Sequence, residues 1–343
     1  MGCKYGSHRV LEPKGVLPQP ALRLDNDFSR IEENEILVDV RALNIDSASF
    51  TQLEEAAGGD VSKIEAAILA IVAERGKMQN PVTGSGGMFI GTVAKVGAAL
   101  AGRDLKEGEK IASLVSLSLT PLRIDRIVRT HAEIDRVEIV GQAVLFESGI
   151  YAKLPDDMDE TLALAALDVA GAPAQAARLV KAGQSVLILG AGGKSGMLVA
   201  WEAMKRVGPA GRVVGNVYLP EDAATLAELG LCHEVVVADA TKPVALLDAV
   251  LAANGGTEYD VVFNCVNVQN TEMSSILPCR QEGTVYFFSM ATHFGKAALG
   301  AEGVGKDVTM IVGNGYAKGH ADLTLAGLRE NAKLRHLFET RYV

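Results

Sequence analysis

The sequence has few cysteines, and their spacing excludes the sites that paired cysteines usually form. Among 343 residues there are four, Cys3, Cys232, Cys265 and Cys279, and no two of them form a C-x-x-C pair. Neither a disulfide framework nor a structural zinc site is therefore indicated. The expected compartment is a reducing cytoplasm.

The chain also has no excess of basic residues and no long apolar segment. Its formal net charge is −9, which argues against nucleic acid or an anionic membrane surface as a partner. No apolar run reaches the roughly 18 residues that a membrane-spanning helix needs. The opening M-G-C-K-Y lacks the apolar core of a signal peptide. With 48% hydrophobic residues, the sequence predicts a folded protein with a sizeable buried core rather than a disordered one.

What the chain does contain is an apolar segment that runs straight into a cluster of glycines. Residues 185–200 read S-V-L-I-L-G-A-G-G-K-S-G-M-L-V-A, with Gly190, Gly192, Gly193 and Gly196 followed by a helical pattern. A buried strand, a glycine turn and a helix N-terminus suit a pyrophosphate, because the backbone can approach the phosphates and the helix offers free N–H groups. The segment therefore predicts a dinucleotide site.

The surrounding pattern supports this interpretation. Residues 1–155 are rich in short strand patterns, such as the alternation in 36–43, with a helical pattern at 61–75. Residues 156–292 alternate strands with helices, which is typical of a doubly wound parallel sheet. We therefore expect an α/β protein with a β-rich domain and a Rossmann domain.

The second strand of the dinucleotide region, R-V-V-G-N-V-Y (212–218), lacks the acid that usually binds the ribose 2′-hydroxyl of NAD. Asn216 or Val217 takes that place, and no arginine stands there to bind the 2′-phosphate of NADP, so the choice between NAD and NADP stays open. Glu221 and Asp222 come later and are expected to cap the next helix. The residues predicted to contact the cofactor are Gly190, Gly192, Gly193, Lys194, Ser195, Gly196, Asn216, Tyr218 and Val266.

This organisation resembles the medium-chain dehydrogenase/reductase family. The resemblance includes the glycine turn, F-I-G-T-V-A-K-V-G (89–97) and D-V-V-F-N-C-V (260–266). It implies a GroES-like catalytic domain in 1–155, a Rossmann domain in 156–292, and a return of 293–343 to the catalytic domain. It also implies a homodimer or a homotetramer.

The resemblance also locates the places where that family binds a catalytic zinc ion. A histidine ligand is expected just before residue 89, where this chain has Gly86, Gly87 and Met88, and the other ligand positions fall on Asp46 and Asp168. Because a catalytic zinc normally takes three protein ligands, we expect a zinc-free member. Each aspartate either caps local structure or faces the nicotinamide and binds a cationic substrate.

Four further segments are similar to the L-erythro-3,5-diaminohexanoate dehydrogenase family. They are C-K-Y-G-S-H-R-V-L-E-P-K and its continuation (3–26), N-I-D-S-A-S-F (44–50), G-S-G-G-M-F-I-G-T-V (84–93) and G-A-G-G-K-S-G-M-L (190–198). The resemblance implies an amine dehydrogenase of lysine fermentation. Its reaction is the NAD(P)-dependent oxidative deamination of L-erythro-3,5-diaminohexanoate to 5-amino-3-oxohexanoate and ammonia.

The chemistry of such a reaction suggests roles for the polar residues near the old metal positions. A base must remove a proton from the substrate ammonium, and a water must then attack the iminium. Asp46 or Asp168 could act as the base if burial raises its pKa. Ser47 could hold the amine or the water, or it is an ordinary loop serine.

Other candidates concern the rest of the substrate and the phosphates. His8 and Arg9 could bind the substrate carboxylate or lie at the surface, and Tyr316 could close the pocket. Lys194 either touches a phosphate or is an exposed residue at a helix start. The helix at 61–75 could cover the site as a lid or only pack on the β-rich domain.

Two competing functions remain open at this point. A zinc-free quinone or enoyl reductase of the same superfamily would need no carboxylate for a cation, and its pocket would be apolar. A non-catalytic dinucleotide-binding protein would not need the polar cluster at the old metal positions.

Overall fold

The computed structural model describes residues 1–289, 291–313 and 316–343. They form two compact units, Met1–Asp156 and Asp157–Val343. Each unit has its own sheet and its own buried apolar core.

The first unit is built on an antiparallel sheet. Its strands are β1 (Val10–Glu12), β2 (Arg23–Leu24), β3 (Glu35–Asn44), β4 (Met88–Val96), β5 (Lys110–Ser113), β6 (Leu122–His131), β7 (Arg136–Phe146) and β8 (Tyr151–Lys153). The main sheet has the order β6-β7-β3-β4-β5-β8. Strand β3 lies between β7 and β4, and its buried residues Ile36, Val38 and Val40 share one face of the strand.

Two helices, α1 (Ser47–Ala57) and α2 (Val61–Arg75), follow β3 in this unit, which the structure describes in full. Each begins after an aspartate that caps it, Asp46 and Asp60, and each ends at a glycine with a positive φ. Every fourth residue of α2 from Ile64 onward is buried in the apolar core of the unit. The helix expected at 61–75 is therefore confirmed, and it packs on the core of the first unit.

The second unit is built on a parallel sheet. Its strands are β9 (Ser185–Leu189), β10 (Arg212–Val217), β11 (Glu234–Val237), β12 (Tyr259–Asn264), β13 (Cys279–Phe287) and β14 (Thr309–Val312). They lie in the order β11-β10-β9-β12-β13-β14. The strand order reverses between β9 and β12, where such sheets bind ligands at the carboxyl ends of the strands. The expected Rossmann domain is confirmed.

Helices cover this sheet and extend beyond it. They are α3 (Glu160–Leu167), α4 (Gly171–Leu179), α5 (Lys194–Val207), α6 (Pro220–Leu229), α7 (Pro243–Ala253), α8 (Glu272–Ile276), α9 (Phe294–Gly303), α10 (His320–Glu330) and α11 (Ala332–Tyr342). Within the described ranges, no helix is long and apolar enough to cross a membrane.

The tail of the chain does not follow the expectation that 293–343 returns to the first domain. Its described residues belong to the second unit. Strand β14 extends the parallel sheet, since Met310 pairs with Val285 of β13. Helix α10 packs on α3, α4 and α5 of the same unit. The tail thus completes the Rossmann unit.

Candidate active site

The glycine turn connects β9 to α5 and leaves the start of α5 open. Gly190 has a φ of +75°, which L side chains rarely adopt. A Cβ on Gly196 would collide with the carbonyl oxygen of Gly190, so helix and strand can pack this closely only with glycine there. The N-cap of α5, Gly193, has no side chain that could accept from the first N–H groups of the helix. These groups therefore offer donors for an anion.

A cavity of about 370 Å³ lies beside this turn, at the carboxyl ends of the parallel strands. Its lining comes from the ends of β9, β10, β11 and β12, and consists of Gly190, Asn216, Tyr218, Ala238, Asp239, Ala240, Thr241, Val266 and Val268. The structure thus brings together four residues that the sequence predicted as cofactor contacts, Gly190, Asn216, Tyr218 and Val266. The loop after β11 was not predicted from the sequence as a cofactor contact, because the pattern of a strand does not show in which direction the following loop runs.

The two polar residues at the end of β10 differ in their surroundings. Asn216 is buried, and its Nδ2 donates to the carbonyl oxygens of Val236 (3.3 Å) and Ala238 (3.0 Å). This side chain fastens the end of β10 to the chain leaving β11. Tyr218 is 71% exposed and contributes to the lining of the cavity.

The first residues of α5 contact groups outside the turn. The Lys194 ammonium donates to Oδ2 of Asp168 at 3.0 Å, and it lies 5.7 Å from the ring centroid of Tyr342. Ser195 is buried beside Cys265, and burial raises the pKa of the Cys265 thiol to about 12. Cys265 therefore stays protonated and serves as packing rather than as a nucleophile.

The ion pair with Lys194 changes the interpretation of Asp168. The residue ends α3 in the second unit and is exposed. Its carboxylate already has a protein cation as its partner. The Asp168 carboxylate is therefore paired with Lys194 rather than free to bind a substrate ammonium.

Asp46, in the first unit, has one engaged and one unengaged carboxylate oxygen. Oδ1 accepts from the Ser49 N–H at 3.1 Å and caps α1. Oδ2 is buried and has no hydrogen-bond partner among the described residues. The amide oxygen Oδ1 of Asn44, two residues earlier, is likewise buried and has no hydrogen-bond partner among the described residues. No sequence pattern pointed to Asn44. Ser47 is exposed at the start of α1.

Gly87 stands where the family resemblance places a histidine, and its backbone leaves no room for one. Its φ is +95°, and a Cβ would lie against the carbonyl oxygen of Asn44 and 2.7 Å from the backbone nitrogen of Asp46. No side chain fits there without moving the β3–α1 connection. Within the described residues, no three His, Cys, Asp or Glu side chains are grouped as metal ligands.

The hypothesis that His8 and Arg9 bind a substrate carboxylate is at odds with the structure. Arg9 is only 4% exposed, and its guanidinium makes two 2.7 Å hydrogen bonds to Glu35. Its other donors go to the carbonyl oxygens of Asp27 and Arg30. His8 Nε2 lies 2.8 Å from the same Glu35 carboxylate. Arg9 thus belongs to a buried ionic cluster with Glu35, and His8, which is exposed, contacts the edge of that cluster.

Tyr316 lies in the second unit after β14, and its ring packs edge-on against His320 at 5.2 Å between centroids. His320 is buried, and burial lowers the pKa of its imidazole, so the ring is neutral at physiological pH. Tyr316 itself is partly exposed.

Comparison with known proteins identifies close relatives. Residues 8–155 match the family described as the L-erythro-3,5-diaminohexanoate dehydrogenase N-terminal domain. The L-erythro-3,5-diaminohexanoate dehydrogenase of Acetoanaerobium sticklandii is 68% identical over 343 residues, which is 100% of this chain and 99% of the relative. The enzyme of the same name from Fusobacterium nucleatum is 66% identical over the same 343 residues, again 100% and 99% of the two chains.

Among solved structures, the CurK enoyl reductase has a similar fold. Its TM-score is 0.54 at 16% identity, and the match covers 88% of this chain and 81% of that one. This likeness supports the expected fold class, a GroES-like domain with a Rossmann domain.

Proposed function

Because the chain belongs to the L-erythro-3,5-diaminohexanoate dehydrogenase family, we propose that it catalyses the oxidative deamination of L-erythro-3,5-diaminohexanoate. The products are 5-amino-3-oxohexanoate and ammonia. The cofactor is a nicotinamide dinucleotide, NAD or NADP, which accepts a hydride from C3 of the substrate. The proposal is supported by the 66–68% sequence identity to the two named dehydrogenases along the whole chain, and by two features of the structure.

The first feature is the fit of the second unit to a dinucleotide. The open N-terminus of α5 supplies donors for the pyrophosphate, and Gly190 and Gly196 allow the backbone to approach it. The adjacent cavity, lined by Tyr218 and Val266 among others, has space for the adenosine half. Asn216 holds the cavity wall together by its hydrogen bonds between strands.

The second feature, and the one that carries the proposal for an amine substrate, is the unpartnered Oδ2 of Asp46. A buried carboxylate oxygen without a donor is costly. The ammonium groups of a diamino acid substrate supply both hydrogen-bond donors and the opposite charge. The unpartnered Oδ1 of Asn44 offers a second acceptor on the same connection. An apolar quinone or enoyl substrate would satisfy neither oxygen.

In the proposed reaction, Asp46 accepts one proton from the C3 ammonium, which leaves a neutral amine. The C3 hydride departs, and the amine nitrogen's lone pair forms the C=N bond of an iminium. Water adds to this carbon, one of its protons passes to the nitrogen and the other to solvent, and ammonia leaves as the C=O bond forms. Asp46 holds the nitrogen during these steps, and Ser47, the exposed first residue of α1, contacts the attacking water.

We further propose that this chemistry proceeds without zinc. A zinc site at the position known from the wider superfamily needs a side chain at Gly87, and the backbone there excludes one. Asp168 is engaged by Lys194 rather than free to serve as a ligand.

The test is the Asp46→Asn variant, compared with Asp60→Asn. Both aspartates cap helices of the first unit, and asparagine caps equally well, so both variants should fold. We expect D46N to lose about 10²- to 10⁴-fold in kcat for the diamino acid, with unchanged NADH binding, and D60N to match the wild type. Activity is followed by NAD(P)H absorbance with 3,5-diaminohexanoate, lysine and 3-aminobutyrate.

Two outcomes would contradict the proposal. Wild-type turnover by D46N would show that the carboxylate does not handle the amine. A wild-type enzyme that reduces quinones or enoyl thioesters, and oxidises none of the amines, would assign it to the reductase alternative.

A further inference from the structure

The end of strand β10 provides no side chain that can distinguish NAD from NADP. Val217 is buried and apolar. The amide nitrogen of Asn216 is committed to backbone carbonyl oxygens. A side chain that distinguishes the ribose 2′-hydroxyl of NAD from the 2′-phosphate of NADP must therefore come from another part of the second unit.

Asp222 lies where such a group is needed. It belongs to the first turn of α6, yet its carboxylate is folded back onto the glycine turn. A Cβ on Gly192 would lie 2.7 Å from Cγ of Asp222 and 2.8 Å from its Oδ2. Gly192 is the bare glycine over which a pyrophosphate and its ribose pass in folds of this kind. The missing side chain thus makes room for the Asp222 carboxylate beside the turn.

The other oxygen of this carboxylate faces an arginine from the last helix. Nη1 of Arg341 lies 3.4 Å from Oδ1 of Asp222, and Nη2 donates to Oγ1 of Thr225 at 3.1 Å. Thr225 is on the same helix as Asp222, so Arg341 is fixed along α6. It holds Oδ1 on the far side and leaves Oδ2 turned toward Gly192. Arg341 also offsets part of the negative charge beside a phosphate site.

Asp239 is the carboxylate that lines the cavity itself, whereas Asp222 lies against the glycine turn beside it. Asp239 follows β11, which is two strands away from β9 and its turn. Its Oδ1 accepts from the N–H and the hydroxyl of Thr241, at 2.8 Å and 2.7 Å. These bonds shape the loop that lines the cavity, and they hold the pKa of Asp239 below its ordinary value.

We propose that Asp222 selects NAD over NADP, and that Arg341 positions its carboxylate. Oδ2 accepts a hydrogen bond from an adenosine ribose hydroxyl of NAD, and its charge repels the 2′-phosphate of NADP. This inference rests on the proposed function for the presence of a dinucleotide, and it goes beyond it by naming the residue that sets the choice. The acid comes from a helix, later in the chain than usual, which explains its absence from the strand end.

The test measures dissociation constants of NADH and NADPH by fluorescence, so no amine turnover is required. The variants are Asp222→Asn and two matched controls, Glu221→Gln, an exposed acid in the same helical turn, and Asp239→Asn. We expect the wild type to prefer NADH. We expect D222N to reduce that preference about ten- to a hundredfold, since a charge-assisted hydrogen bond and a repulsion are both lost. Glu221→Gln should not change the ratio, and Asp239→Asn, in the lining of the cavity, should change it less than D222N does.

Arg341→Gln gives a second and independent outcome. It should weaken NADH binding less than D222N does and should keep the preference for NADH. A selective loss of NADPH binding in R341Q would instead assign the 2′-position to Arg341 and overturn the inference.

The failures of the two proposals are distinguishable. Unchanged selectivity in D222N, or a change in D239N alone, would refute the role of Asp222 while leaving the dehydrogenase proposal intact. A wild-type protein that binds neither NADH nor NADPH would overturn both.

Discussion

The buried cluster around Glu35 predicts a large loss of stability when its charge is removed. Four donors converge on this carboxylate: two from Arg9, one from His8 and the backbone N–H of Glu32. Burial alone would raise the pKa of Glu35, but the hydrogen bonds from Arg9, from the Glu32 N–H and from His8 outweigh it and hold the pKa below 4.5. The Glu35→Gln variant leaves the buried guanidinium of Arg9 without its countercharge.

The expected cost follows from that burial. Breaking a buried ion pair by removing one partner costs about 3 to 5 kcal/mol. At about 2 to 4 °C per kcal/mol for a unit of this size, the melting temperature should fall by about 6 to 20 °C. Asp125→Asn is the matched control, because Asp125 pairs with Arg123 at 3.0 Å while both side chains are exposed. We expect that variant to melt close to the wild type.

The assay is thermal unfolding by calorimetry at several pH values. Because the folded pKa of Glu35 is depressed, its contribution is complete above about pH 4.5 and is lost as the pH falls through the folded pKa. The gap between wild type and E35Q should therefore close in acid. A melting temperature for E35Q as high as that of D125N would refute the reasoning. A large rise in the KM of the diamino acid, with unchanged stability, would restore the earlier hypothesis that His8 and Arg9 bind substrate.

Two further predictions concern the first unit. Gly87→Ala should lower the free energy of unfolding by about 1 to 3 kcal/mol for the strained backbone, and by more for the contact with neighbouring backbone. Gly108→Ala, which has a φ of +88° and open space around it, should show only the strain, so equal melting temperatures would contradict the packing at Gly87. Burial lowers the pKa of Lys77 to about 8. Because the unfolded chain then binds more protons between about pH 8 and 10.5, stability should rise with pH across that window. Lys77→Met should abolish this rise in denaturant titrations, and an unchanged slope would show that Lys77 is not responsible.

The dinucleotide unit was predictable because its signals are local. The apolar run, the glycines and the helical pattern stand next to one another in the chain, and the structure has β9 at Ser185–Leu189 and α5 at Lys194–Val207. The periodicity of each segment predicts whether it is a strand or a helix. The short connections between the segments limit the possible strand orders of the sheet. The same reasoning identifies the carboxyl ends of the strands as the ligand edge.

Strand β6 was not predictable from its pattern. The segment Leu122–His131 is rich in charged residues and lacks a regular apolar alternation. In the structure it is the edge strand of the sheet, next to β7. Edge strands tolerate and even favour charges because these discourage pairing with other chains. Whether a polar segment is an edge strand or a loop depends on a partner strand, and the segment itself does not contain that information.

The partners of polar side chains were equally hidden. Arg9 lies in a segment dense with motifs, and that density suggested a substrate contact. Its partner Glu35 is 26 residues further along the chain. Asp222 was expected to cap a helix, and the arginine beside it is 119 residues away. Long-range pairs of this kind decide whether a charge is structural or available to a ligand, and only the folded chain reveals them.

Asp46 shows that capping and function need not be alternatives. A helix cap uses one acceptor, and a carboxylate has two oxygens. Oδ1 satisfies the Ser49 N–H, while Oδ2 is left for another donor. Asp222 divides its oxygens in a similar way, between Arg341 and the glycine turn. In both residues, a hydrogen bond or ion pair to one oxygen fixes the orientation of the carboxylate. The second oxygen then remains available to a ligand. A residue that caps a helix with one oxygen can therefore still bind a ligand with the other, whereas capping alone, as at Asp60, assigns no such role.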